Sequence, residues 1–219
     1  LAGVLVKNSG TLNASSVVRD GGQLFLKAAK RIELTPTSRI AADGTKGGVI
    51  IAKTEDAGQL SGELIARGSI SAQGDGSKGS GGAIETSAAR LDIDDMTVTT
   101  GGGIWLLDPN NITIQASGSD TASGNPSFVS VGDSSIVTTG SIQTALNAGT
   151  NVSVTTGAGG TQAGDITVGD TITKSSGSAA SLTLSAHNNI NVNAAITSSS
   201  GTSPLNLTMI ADADNNSGG

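Results

Sequence analysis

The branched apolar residues of this chain come in short alternating pairs that recur at an interval, and this repeat constrains the fold more than any other feature. Asp165-Ile166-Thr167-Val168 followed by Ile172-Thr173 returns 24 residues later as Asn189-Ile190-Asn191-Val192 followed by Ile196-Thr197, and Ser175-Ser176 returns as Ser199-Ser200. A looser form, a pair and then a single residue after a polar turn, appears as Ile32, Leu34 and Ile40, and as Leu91, Ile93 and Val98. Further pairs are Leu24 and Leu26, Ile112 and Ile114, Val152 and Val154, Leu182 and Leu184, and Leu205 and Leu207. Spacing of two puts both side chains on one face of an extended strand, a surface that suits β-branched residues. The Gly, Ser, Thr, Asn and Asp between the pairs limit the strands to a few residues each.

Self-similarity at an interval of 20 to 50 residues marks a solenoid or a propeller. A propeller blade needs about 40 residues and four strands, and the leucine-rich consensus is absent, so a coil of about 24 residues with three short strands predicts a parallel β-helix. Each coil lies about 4.8 Å above the last and inward side chains stack into apolar ladders. The expected class is all-β, with residues 1–219 forming a single β-helix segment. Glycines at Gly47-Gly48, Gly74, Gly76, Gly79, Gly81-Gly82, Gly101-Gly102-Gly103, Gly157 and Gly159-Gly160 fall where strands should end, and corners need positive φ or close backbone approach.

Composition decides whether such a chain folds and what it can do. Leu, Ile, Val and Phe supply only 49 of 219 residues, yet charged residues are 14%, so self-repulsion does not force disorder. With no cysteine there is no disulfide framework, no thiolate metal site and no thiol nucleophile. His187 is the one histidine, which argues against a histidine metal centre or a Ser-His-Asp triad. A net charge of −6 and only three aromatic residues give neither an electropositive footprint nor a base-stacking platform, so nucleic acid is not an expected partner. Apolar runs stay far below the roughly 18 residues of a spanning helix, so no membrane span is expected. The chain starts at Leu1 without a basic and apolar leader, so either a mature product or, in preference, an excised piece of something longer is expected.

Residues 115–149 break the rhythm. Gly118, Gly124 and Pro126 precede Phe128-Val129-Ser130-Val131, and Ser141 to Gly149 has helical spacing at Ile142, Ala145 and Leu146 with Ser141 placed as N-cap and Gly149 as C′. The expectation is a loop excursion with one short helix near 141–148, a cover for the coil or a binding surface.

Residues 101–114, Gly-Gly-Gly-Ile-Trp-Leu-Leu-Asp-Pro-Asn-Asn-Ile-Thr-Ile, resemble the large filamentous-haemagglutinin-like exoproteins of bacterial two-partner secretion, whose shafts carry a G-x-W-L-L-D-P-x-x-I/V-T-I phrase. Gly81-Gly82-Ala83-Ile84-Glu85-Thr86-Ser87 and Gly62-Glu63-Leu64-Ile65-Ala66-Arg67-Gly68 before it, and Asn151 to Thr156 and Gly164 to Val168 after it, extend the likeness over most of the chain. The resemblance implies a right-handed parallel β-helix, exported through an outer-membrane transporter and displayed on or released from a Gram-negative surface. It implies a structural shaft of an adhesin, a haem-acquisition protein or a contact-dependent toxin, with a host or bacterial surface receptor that the sequence does not name. The family's N-P-N-L and N-P-N-G phrases are absent, so the resemblance puts the secretion signal upstream. A chain free of cysteine and poor in apolar residues suits passage through a pore unfolded.

Candidate chemistry is sparse, and neither a catalytic residue nor a cofactor is expected. Asp92, Asp94 and Asp95 are conceivable carboxylate catalysts of a carbohydrate-active β-helix, but Asp92 and Asp94 alternate with Leu91 and Ile93 and should point outward on a solvated face. Ligand capture, of haem or a host protein, would fall to the 115–149 excursion. Asp212, Asp214 and Asn216 are spaced like the start of a calcium loop, with the glycine one place late and no closing glutamate. Trp105 reads as core or cap, His187 as an exposed turn residue, and the Asn-x-Ser/Thr triplets at Asn13, Asn111, Asn151 and Asn206 as chance.

Overall fold

The alternating pairs become strands, and the strands stack in parallel. The computed structural model describes residues 1–17, 20–77, 80–117, 135–157, 162–199, 201 and 203–215. Gly79, Gly118, Gly124 to Val131, Gly159-Gly160, Ser200 and Asn216 to Gly218, all singled out above, lie outside the described residues. The strands are β1 (Ala2–Asn8), β2 (Thr11–Asn13), β3 (Gln23–Leu34), β4 (Arg39–Ala41), β5 (Val49–Asp56), β6 (Gln59–Leu60), β7 (Glu63–Ala66) and β8 (Ser69–Ser71). There follow β9 (Ala83–Ser87), β10 (Arg90–Ile93), β11 (Thr97–Thr99), β12 (Ile104–Asp108), β13 (Ile112–Gln115) and β14 (Ser135–Thr138). One helix, α1 (Thr139–Asn147), precedes β15 (Asn151–Thr155), β16 (Ile166–Val168), β17 (Ile172–Lys174), β18 (Ala180–Ser185), β19 (Ile190–Val192), β20 (Ile196–Ser198) and β21 (Leu205–Ile210).

The protein is mostly β, and among the described residues its strand pairs are parallel apart from the β5–β6 hairpin. A first face runs from the first half of β3 through β5, β9, β12, β15 and β18 to β21. A second runs from β1 and the second half of β3 through β7, β10, β14, β13 and β16 to β19. Because β3 contributes one half to each, these two faces form a single 15-stranded sheet. The third face is β2, β4, β8 and β11, with β17 and β20 as a separate pair beyond them.

Register turns the sequence pattern into ladders. Leu24, Ile50, Ile84, Trp105, Val152, Leu182 and Leu207 stack on the first face. Val6, Ile32, Leu64 and Leu91 begin the second, and Ile112, Ile166 and Ile190 continue it; Leu12, Ile40, Ile70 and Val98 form the third. Most of these side chains are fully buried in one apolar cluster, each worth about 1.5–3 kcal/mol against exposure. A core one side chain wide is how so few apolar residues suffice. The interval between stacked residues is not uniform. It is 24 residues from Asp165 to Asn189, where the echo lies, but 27 from Glu63 to Arg90 and 32 from Arg31 to Glu63.

At one corner the layers approach too closely for any side chain. A Cβ on Gly48 would sit 2.0 Å from the Gly22 carbonyl oxygen, one on Gly82 2.3 Å from that of Gly48, and one on Gly103 1.9 Å from that of Gly82. Close approach, not positive φ, fixes glycine at these three positions.

The region expected as an excursion contributes to the stack itself. On the second face β13 is not laid on β10: β14, 20 and more residues further along the chain, pairs with both and fills the place between them. On the third face α1 packs against β11 on one side and β17 on the other. The helix begins at Thr139 with Thr138 as N-cap, two residues before the expected start, and Gly149 beyond its end takes φ +76° as the C′ reading required. Ser141 is the third helical residue, and its N–H donates to the Thr138 hydroxyl, so its own hydroxyl is left for another partner. A helix spends its carbonyls internally, so the strands beside it must find other acceptors. Met96 N–H donates to Ser141 Oγ at 3.1 Å, and Thr100 N–H to Thr150 Oγ1 at 3.0 Å. On the other side Thr173 N–H donates to Gln143 Oε1 at 2.7 Å, and the Ser175 and Ser176 N–H groups to Asn147 Oδ1. Four side chains on and beside α1 therefore stand in for the carbonyls of a strand.

Candidate functional site

Polar side chains on the outside of the stack mostly bridge one layer to the next. On the second face Arg31, Glu63 and Arg90 share one register column, and Glu63 accepts from Arg31 at 2.6 Å and from Arg90 at 2.8 Å. Asp92, one pleat along, accepts from Arg67 at 2.9 Å, and the Arg67 guanidinium also donates to the Asp92 carbonyl. Asp92 does lie on the opposite side of β10 from Leu91 and Ile93, but its side chain is only 5% exposed. The expected solvated face is corrected here: the Arg67 guanidinium from the neighbouring layer and that of Arg90 on the same strand, 3.9 Å away, cover the carboxylate. Asp94 is half-buried, and Asp95 is exposed in a turn with φ +49°. The three aspartates do not share one face.

Asparagine and aspartate do the same at the corners. Asn111 Oδ1 accepts from the Gly164 and Asp165 N–H groups, both at 2.8 Å, and Asp165 Oδ1 accepts from Asn189 N–H at 3.0 Å. These residues precede Ile112, Ile166 and Ile190, so the ladder of Asx side chains runs beside the apolar one. Asn151 Oδ1 likewise accepts from Ser181 N–H. Asn111 and Asn151, two of the Asn-x-Ser/Thr amides named above, thus serve the stack, while Asn206 is exposed.

A different chemistry gathers on the first face. Glu85 on β9 and Asp108 at the end of β12 lie on adjacent strands, and Asp108 is in register with Ser87. The Ser87 hydroxyl donates to Glu85 Oε1 at 2.8 Å. Lys53, also in register with Ser87, pairs with Glu55 at 3.3 Å. Burial, reinforced by the negative charge of Glu85, pushes the Asp108 carboxyl up to about 6. A carboxyl that exchanges its proton near pH 6 beside a second carboxylate can act as a proton donor or acceptor in mildly acidic solution. Both residues were legible in the sequence, but only register brings them together.

Lys174 is the other group that the sequence reading passed over. It is fully buried at the inward end of β17, its Nζ donates to the Ser176 carbonyl at 2.5 Å, and desolvation lowers its pKa from the ordinary lysine value. The available signal was alternation, since Lys174 shares the inward side with Ile172.

Trp105 is enclosed in the first ladder, and its indole N–H donates to Thr86 Oγ1 at 3.1 Å. His187, expected to be an exposed turn residue, is half-buried with Nε2 2.9 Å from Asp214 Oδ2. Asp212 has φ +52° in the turn that follows β21, where its carbonyl accepts from Asn215 N–H. Among the described residues no group of three His, Cys, Asp or Glu side chains converges as a metal site, and Asn216 lies outside them. No helix among the described residues is long and apolar enough to cross a membrane. An open groove of about 460 Å³ borders the glycine corner, lined by Gly48, Gly82, Gly103 and Ile104 among others. Neither the family models nor the curated proteins include a match to this chain.

Proposed function

We propose that the chain is a structural shaft segment of a bacterial surface adhesin of the filamentous-haemagglutinin-like kind, exported by two-partner secretion through an outer-membrane transporter. In this reading it is a right-handed parallel β-helix whose basic coil of about 24 residues is lengthened at turns, and it holds an adhesive surface away from the cell to meet a host or bacterial receptor. The supporting observation is the use of polar side chains between layers: Arg31, Glu63, Arg90, Asp92, Arg67, Asn111 and Asp165 all bind a neighbouring coil. A stack secured along its length is suited to reach and stiffness. The W-L-L-D-P phrase contributes Trp105 and Leu107 to the core, as a shaft signature should. The test places the chain behind a two-partner secretion domain with its transporter. Export of folded, protease-resistant material that adheres to target cells is expected; retention in the periplasm with its transporter working would count against the reading.

A carbohydrate-active enzyme is the second reading, and the raised Asp108 carboxyl beside Glu85 is the observation in its favour. It requires release of reducing ends from a polysaccharide panel that Asp108→Asn abolishes.

A further inference from the structure

Among the described residues the second face holds one strand more than the coils require. From the coil of β9, β10 and β11 to that of β18, β19 and β20, the first face stacks β9, β12, β15 and β18, and the third stacks β11, α1, β17 and β20. Over the same coils the second face stacks five elements, β10, β14, β13, β16 and β19. The extra strand is β14, because β13 is the one in phase. Ile84 lies in register with Trp105 at an interval of 21 residues, and Leu91 and Ile93 precede Ile112 and Ile114 by the same 21. β13 therefore has the spacing to sit directly on β10 and carry both inward columns forward. Instead β14 lies between them, with Ile136 in register with Asp92 at an interval of 44.

β14 is also the poorer fit. β7 meets β10 along Arg90 to Ile93, whereas β14 meets it only along Asp92 and Ile93. Ser135, fully buried, stands between Leu91 and Ile112 in an otherwise apolar ladder. Its hydroxyl, in place of a strand carbonyl, accepts from Leu91 N–H at 2.9 Å.

We propose that β14 is an exchangeable strand, which leaves the stack while β13 takes its place on β10. In the exchanged form Leu91 meets Ile112, Ile93 meets Ile114, and all three faces hold the same number of elements. β16 and β19 stay paired to β13 and descend with it by one strand spacing, about 4.8 Å. α1 keeps its place and its cap, since Thr138 remains with it. Residues 116 and 117 then turn the corner into the helix, as residues 94–96 do between β10 and β11. The exchange gives up the buried Val137 and the β13–β14 pairing. It gains a branched neighbour for Leu91, direct β10–β13 pairing and the conformational freedom of β14. Two discrete packings of one segment are what a structural switch requires.

Amide exchange of the unchanged chain tests this. Simple opening of β14 strips Leu91 N–H of its acceptor, so Leu91 would exchange together with Ile136 and Val137. Strand exchange offers Leu91 N–H a backbone carbonyl of the incoming strand, so Ile136 and Val137 are expected to exchange about tenfold faster than Leu91, or more. Equal rates would overturn the proposal. A chain lacking residues 118–137 joins Ser117 to the helix cap and leaves only the exchanged form. It is expected to fold with the Trp105 emission of the unchanged chain and to melt within about 4 °C of it. Failure of this chain to fold, or loss of Leu91 protection in it, would show that β14 is a fixed part of the stack.

Discussion

Asp108 shows how a single residue can carry a pH dependence through the fold. Its carboxyl has an ordinary value of 3.8 and is raised to about 6 in the folded chain, chiefly by burial and then by Glu85. Between those values the folded chain holds a proton that the unfolded chain has released. Stability therefore falls as pH rises from about 4 to about 6 and levels off above. After allowance for solvent screening of a half-buried group, the cost of ionising Asp108 is about 1–2 kcal/mol. Asp108→Asn is accordingly expected to raise the unfolding free energy by that amount at pH 7.5 and to leave it nearly unchanged at pH 4, measured by urea titration. Equal effects at both pH values would remove burial of the charge as the cause. Trp105, the single tryptophan, gives the fluorescence signal for this and for any other unfolding measurement.

At the scale of elements, α1 is the instructive one. It occupies a strand's place in the third face, and the cost of that substitution is met by side-chain oxygens. Ser141→Ala leaves the buried Met96 N–H without its acceptor, and the expected loss is about 1–3 kcal/mol. Thr144→Ala on the same helix, a residue that is exposed, serves as the control and should be close to neutral. If thermal melts show the two equally stable, surrogate acceptance at Ser141 contributes nothing. The glycine corner is less forgiving than the helix, since at Gly103 the obstacle is the Gly82 carbonyl and no rotamer avoids it. β14 adds a lesson about order. Its slot lies between β10 and β13, so strands close in space are assembled from segments distant in sequence.

For the whole molecule, a stack in which each layer touches mainly its neighbours has stability that varies along its length. The middle layers, β9, β12 and β15, are covered on both sides by neighbouring strands, while β19 to β21 have a partner on one side. Amide exchange in dilute solution is therefore expected to be slowest in the former and fastest in the latter. Uniform exchange along the chain would mean a single all-or-none unit and no weaker end.

Much of this was present in the sequence. The i, i+2 pairs determined which side chains turn inward, because the pleat alternates them whatever lies above or below. The 24-residue echo determined that Ile166 and Ile190, and Ile172 and Ile196, share ladders, and register agrees. Glycine at the corners and the absence of cysteine were equally local facts. What only the tertiary structure decided is what depends on neighbours far along the chain. Alternation could place Asp92 on the outer side of β10, but not find Arg67 and Arg90 covering it. Helical spacing could announce α1, but not that it fills a layer, because that rests on β11 and β17 lying on either side. Asp108 and Glu85 became a pair for the same reason: their proximity is set by register between layers, and each layer's length is set by turns whose insertions follow no period.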